Sequence, residues 1–216
     1  MFPRAFGTFK KCESFIFRTE AFLQWGDSEN LIGAVLLLNP GRSKLIDEEK
    51  WEDLNLNKVK CASGELILDE TMKSISRILE ESHPLLYGRV KILNLFNIRN
   101  SKSKQAISEF SEICNDLKYK NYMFSSLDNI YKNCAWIWLG WGVKKNETLD
   151  ERRKEVISFL KDKNIYCFAL YSNKYKKDNK IYIYHPHPHN PIQREDYFIK
   201  MTQQMKDFWS NQNSYK

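Results

Sequence analysis

Four short stretches of the chain, residues 31–38, 90–96, 134–139 and 165–170, are apolar at almost every position. Runs that are apolar throughout, rather than at every second position, predict strands buried on both faces, as in a parallel sheet. The first is stopped by Asn39-Pro40-Gly41, a turn sequence. Between the runs the apolar positions change to a spacing of three and four. Met72, Ile75, Ile78 and Leu79 share one face of a helix that Asp69 can cap and that runs to about residue 81. Residues 103–118 and 122–131 predict a second crossover. Residues 149–161 repeat the pattern, with Val156, Phe159 and Leu160 inside and Arg152, Arg153 and Lys154 outside. A hairpin is expected from residues 15–18 and 21–25, a short helix near 47–54 and a closing helix over 195–209. Strand and helix alternate, so the simplest fold is α/β: a three-layer α/β/α sandwich around a central, mainly parallel four-stranded sheet. With no repeat and no linker, residues 1–216 read as one domain. Residues 42–68 form a long insertion, and long connections of this kind are often functional.

Composition changes this picture little. The 216 residues are 42% hydrophobic with 8 Gly and 6 Pro, which excludes a collagenous, low-complexity or disordered chain. A domain of this length buries roughly 70% of its unfolded surface and needs no disulfide or metal for stability. Cys12, Cys61, Cys114, Cys134 and Cys167 are odd in number and form no CxxC pair, against a disulfide framework, a zinc ribbon or a cysteine-ligated iron–sulfur cluster. No apolar stretch approaches the roughly 18 residues of a membrane span, and no signal-peptide pattern opens the chain. A monomeric, cytoplasmic protein without a membrane partner is expected. The 34 basic and 27 acidic residues give a net charge of +7. Residues 1–108 carry 16 basic and 14 acidic side chains, residues 109–216 carry 18 and 13, so most of the excess lies in the second half. This suits a polyanionic partner, though a solvated lysine-rich surface accounts for it equally.

In an open parallel sheet, ligands bind outside the carboxyl ends of the strands. Four distinctive sequences fall there: Asn39-Pro40-Gly41-Arg42-Ser43; Asn94-Leu95-Phe96-Asn97-Ile98-Arg99; Gly140-Trp141-Gly142; and His185-Pro186-His187-Pro188-His189-Asn190-Pro191. The predicted topology brings all four to one crevice. Singly, each has a structural reading: a turn, strand-end caps, a core tryptophan between two glycines. Three of the four histidines alternate with prolines, and an extended backbone would turn them to one side. A three-histidine metal site is one reading of that segment. The other is a stiff loop that holds one histidine against a ligand.

Asn-Pro-Gly after a buried strand, an asparagine-rich strand end and His-Pro-x-Pro before the last helix together resemble the uracil-DNA glycosylase superfamily, in particular its mismatch-specific thymine/uracil branch. Asp69-x-Thr71, Asn94-Leu95-Phe96-x-x-Arg99, Trp141-Gly142 and His185-Pro186 also resemble a poorly characterised bacterial family with an NPS…DxT…NLFxxR…WG…HP signature. The likeness spans about residues 15–205. It implies a monofunctional DNA glycosylase, without cofactor or metal, that flips a base out of DNA and hydrolyses its N-glycosidic bond. Asn39 matches the residue that orients the attacking water, and His185 the donor to the leaving base. Pro40, Gly41, Asn94, Phe96, Asn97, Trp141 and His187 would form the base pocket. Asn94 or Asn97 would read the base edge, and Phe96 or Trp141 would stack on its face. Arg42, Ser43, Arg99, His189, Ile192 and Arg194 would contact DNA, with Ile192 as an apolar wedge and Arg194 near a phosphate. An amide at position 39, where the strongest form of the motif has an acid, and the 42–68 insertion beside the pocket point away from plain uracil. They point toward a hypermodified pyrimidine such as the glucosylated hydroxymethylcytosine of phage DNA. Uracil or mismatch repair, a nucleic-acid-binding module without activity, and a histidine-ligated metallohydrolase are the alternatives.

Overall fold

The computed structural model describes residues 3–83, 85–127, 134–172 and 181–213. Seven strands form one sheet: β1 (Arg4–Cys12), β2 (Phe15–Trp25), β3 (Leu31–Leu37), β4 (Cys61–Glu65), β5 (Gly88–Asn94), β6 (Ile137–Leu139) and β7 (Cys167–Ala169), in the order β4-β1-β2-β5-β3-β6-β7. The four apolar runs are the adjacent strands β5, β3, β6 and β7, all mutually parallel. Alternate residues of β3 explain why such a run is apolar throughout. Ala34 and Leu36 enter the core on one face of the sheet, while Val35 and Leu37 enter the core on the other.

The sheet is larger and more mixed than the expected four parallel strands. β2 pairs antiparallel with β5, and β1 continues antiparallel to β2, with β4 antiparallel outside it. The hairpin expected within residues 15–25 is instead one continuous strand. The polar pair Thr19-Glu20 does not break it, because β1 keeps pairing across a bulge there, with Glu20 opposite Thr8 and Arg18 opposite Phe9. The turn lies earlier, where Glu13 takes a φ of 53° between β1 and β2.

Among the described residues there are six helices: α1 (Glu48–Asn55), α2 (Glu70–Ser82), α3 (Ser103–Ile113), α4 (Lys120–Met123), α5 (Glu147–Asp162) and α6 (Pro191–Asn213). Asp47, Asp69 and Asn146 cap α1, α2 and α5 through side-chain oxygens that accept from Lys50, Met72 and Leu149 N–H. Part of the helix expected over 122–131 falls on residues 128–133, outside the described residues. Buried side chains of α1, α2 and α6 share one core, and those of α3, α4 and α5 share the other, so helices cover both sheet faces. The 42–68 segment is ordered: Trp51 and Leu54 of α1 are buried, and β4 extends the sheet. No described helix is long and apolar enough to cross a membrane, and all five cysteines are free.

Candidate functional site

A cavity of about 530 Å³ opens at the carboxyl ends of β3 and β6, within the ~300–1,000 Å³ range of small-molecule sites. Its floor comes from Leu37 and Leu38. Around it stand Asn39-Pro40-Gly41, the first turn of α2, the segment Trp141–Lys144, and the loop from Tyr184 to Asn190. Three of the four sequences expected at the strand ends therefore meet in one place.

Local contacts explain how they meet. Ile183 bridges both Gly142 and Tyr171, which carries the chain into the cavity at His185. Gly140 permits the approach, since a Cβ there would lie 2.7 Å from Cδ of Pro186. Trp141 is buried and donates its indole N–H to the Ile181 carbonyl at 2.8 Å. Arg153, expected on the outer face of α5, is wholly buried instead. Its guanidinium binds the carbonyls of Lys144 (2.7 Å) and Gly142 (3.0 Å) and the carboxylate of Asp150 (2.6 Å), so it braces the Gly142–Lys144 wall. Asn190 caps α6 by accepting from Ile192 and Gln193 N–H.

Asn39 is half-buried, and its Nδ2 donates to the carbonyls of Asn100 (3.0 Å) and Ile98 (3.4 Å). Both amide hydrogens are engaged, so the side chain is fixed with Oδ1 as an acceptor. His185 has Nδ1 3.1 Å from His187 N–H and 3.3 Å from the His187 carbonyl oxygen. A neutral ring that accepts the His187 N–H at Nδ1 carries its proton on Nε2. Burial pushes the His185 pKa down to about 4, so the ring is neutral at physiological pH. His187 Nδ1 meets Ser74 Oγ at 2.7 Å, tying the loop to α2, and burial lowers its pKa as well. Among the described residues, no three His, Cys, Asp or Glu side chains converge as ligands of one ion would.

Other expected residues stand elsewhere. Phe96 stacks on Phe110 in the core, with ring centroids 4.5 Å apart. Asn97 is fully buried, donates to the Tyr122 carbonyl and accepts from Ser125 Oγ. Asn94 lies behind Arg18, accepting from its Nη2 at 3.4 Å. None of the three lines the cavity. Arg99 donates to the Ser43 and Arg42 carbonyls and covers Trp51, and Ser43 is buried. The Arg194 fork holds the Pro188 and His189 carbonyls. Arg42, His189 and Ile192 are exposed, and His189 lines the cavity.

Three cavity residues were not expected in a binding role. Asp69, expected as a helix cap, and Thr71, its partner in the Asp-x-Thr motif, stand at the cavity wall. Arg18, which reads as one polar position in a strand, is 2% exposed and lines the cavity from β2. Its isolated position gave no periodic signal. The 42–68 segment, by contrast, supplies no lining residue.

Fold and site together define a class: an α/β protein with a donor-lined cavity at the carboxyl edge of a mixed sheet. A model of the family DUF1643, described as a protein of unknown function, matches residues 61–186, more than half of the chain, and the chain belongs to that family. No curated protein matches the chain, and neither does any solved structure.

Proposed function

We propose that the chain is a monofunctional DNA glycosylase acting on a modified pyrimidine. The observation that carries this reading is the pairing of Asn39 and His185 across one cavity, each with its orientation fixed by the backbone. Asn39 Oδ1 accepts a hydrogen bond from water and holds it toward the sugar. As the bond between C1′ and the base nitrogen breaks, the sugar gains oxocarbenium character and the electron pair leaves with the base. His185 Nε2–H donates to that developing negative charge, where a donor is worth most in a site removed from bulk water. Water adds to C1′ and loses a proton, and the base departs after gaining one, leaving an abasic site. The base must first be rotated out of the duplex. Exposed Ile192 at the start of α6 fits the role of the apolar wedge.

A cavity of about 530 Å³ is roomier than one flat pyrimidine ring requires. A glucosylated hydroxymethylcytosine is the substrate this room favours, and it does so without the 42–68 segment, which lies outside the cavity wall. Uracil or mismatch repair is the competing substrate class. Mass spectrometry of free bases released from a panel of modified DNAs tests the reading. A modified pyrimidine is expected in the supernatant, and no base from any DNA would overturn it.

A further inference from the structure

Arg18 is out of balance with its surroundings. The guanidinium is buried, yet its Nε has no hydrogen-bond partner among the described residues, and its Nη2 makes a single long bond to Asn94. An unpaired buried cation is costly. Burial moves its pKa down to about 10, which still leaves it charged at neutral pH. A well-packed apolar residue would be more stable here, so the charge invites a ligand as its partner. Arg18 lines the same cavity as Asp69, whose charge favours the charged guanidinium, and no hydrogen bond joins the two among the described residues. Asp69 Oδ1 is taken up by the Met72 N–H at 2.9 Å, which leaves Oδ2 as an acceptor. A buried guanidinium and a carboxylate with one free oxygen thus line one space without a hydrogen bond between them.

We propose that Arg18 and Asp69 form the recognition pair for the hydrogen-bonding edge of the base, selecting a cytosine-type edge over a uracil-type edge. This rests on the glycosylase reading for the nature of the ligand as a nucleobase. A cytosine ring offers two adjacent acceptors, O2 and N3, and beside them the donor N4–H. The acceptors suit the guanidinium fork, and the amino group suits a carboxylate. A uracil ring presents N3–H to the guanidinium and O4 to the carboxylate, so donor meets donor and acceptor meets acceptor. Substituents at C5 leave this edge untouched, so a bulky adduct is compatible with it. Asn94 then acts as a positioning residue that holds Nη2 from behind.

The test reads binding without cleavage. Saturation-transfer NMR of the intact chain with millimolar 2′-deoxycytidine or 2′-deoxyuridine should show the cytosine nucleoside binding about 10-fold or more tightly, the scale of one matched base-edge pair. Arg18→Met should abolish this binding while leaving the melting temperature equal or higher, because it removes an unpaired buried charge. Asp69→Asn keeps a good helix cap but exchanges the free acceptor for an amide donor, so the preference should shift toward deoxyuridine. Equal binding of the two nucleosides, or binding of neither, overturns the proposal. So does Arg18→Met that melts earlier yet keeps the preference, since Arg18 would then be a brace for Asn94. Failure of base release from every modified DNA, with the nucleoside preference intact, would instead count against the glycosylase reading alone.

Discussion

Asn39 shows why an amide, and not an acid, occupies the end of β3. Both carbonyls that face its Nδ2 are backbone acceptors. In Asn39→Asp a carboxylate oxygen would oppose them, so this variant should lose about 1–3 kcal/mol of stability and gain no rate at neutral pH. A faster Asn39→Asp enzyme would contradict the assigned amide geometry. His185→Ala should slow single-turnover base release about 100-fold while DNA affinity stays within a few-fold, since its donor matters mainly as charge develops. Unchanged rate with lost affinity would make His185 a binding residue. The depressed His185 pKa also fixes a sign for pH dependence. Above its ordinary value of 6.5 both folded and unfolded states carry a neutral ring, and the group contributes nothing to pH dependence. As pH falls from about 6.5 to about 4 only the unfolded state takes up the proton, so stability falls by about 3 kcal/mol at most and then levels off. Base release should show no inflection near pH 6.5, and one there would mean that His185 titrates as an ordinary histidine.

At the scale of elements, legibility in the sequence followed burial. β5, β3, β6 and β7 are buried on two faces and announce themselves as apolar runs. β1 places Ala5 and Gly7 inward beside Phe9, so its alternation is weak, and Gly7 leaves room for Leu66. β4 (CASGE) has little strand preference of its own, and pairing with β1 makes it a strand. The cap Asp69 was readable because capping is local chemistry. Arg153 and Arg18 were not, because only the tertiary structure surrounds a cation in mid-helix or mid-strand. Asn39 and His185 could be picked out at strand ends, whereas the burial of Phe96 and Asn97 depends on α3 and the 122–125 segment packing over them. The α1–β4 unit lies away from the cavity, so Asp47→Ala should cost about 1 kcal/mol of stability and leave base release unchanged. A matching fall in single-turnover rate would tie that unit to the site after all.

The whole molecule carries a net charge of +7, but several of its expected DNA contacts are engaged internally. The guanidinium groups of Arg99 and Arg194 hold backbone carbonyls, while the Arg42 side chain is exposed beside the cavity. The basic segment 174–180 lies outside the described residues. Duplex affinity should fall with rising salt, and Arg42→Ala should reduce the logarithmic salt slope by about 1. An unchanged slope would remove Arg42 from the DNA surface. The central proposal is that, in one cavity, Asn39 directs water and His185 supports a departing base. Single-turnover abasic-site formation tests that claim most directly, with wild type and Asn39→Ala compared on unmodified, uracil, hydroxymethylcytosine and glucosyl-hydroxymethylcytosine duplexes. Wild type should form abasic sites fastest on the glucosylated duplex, and Asn39→Ala should be slower by about 100-fold or more. Equal rates for the two proteins, or uracil released fastest with the glucosylated base untouched, would contradict it.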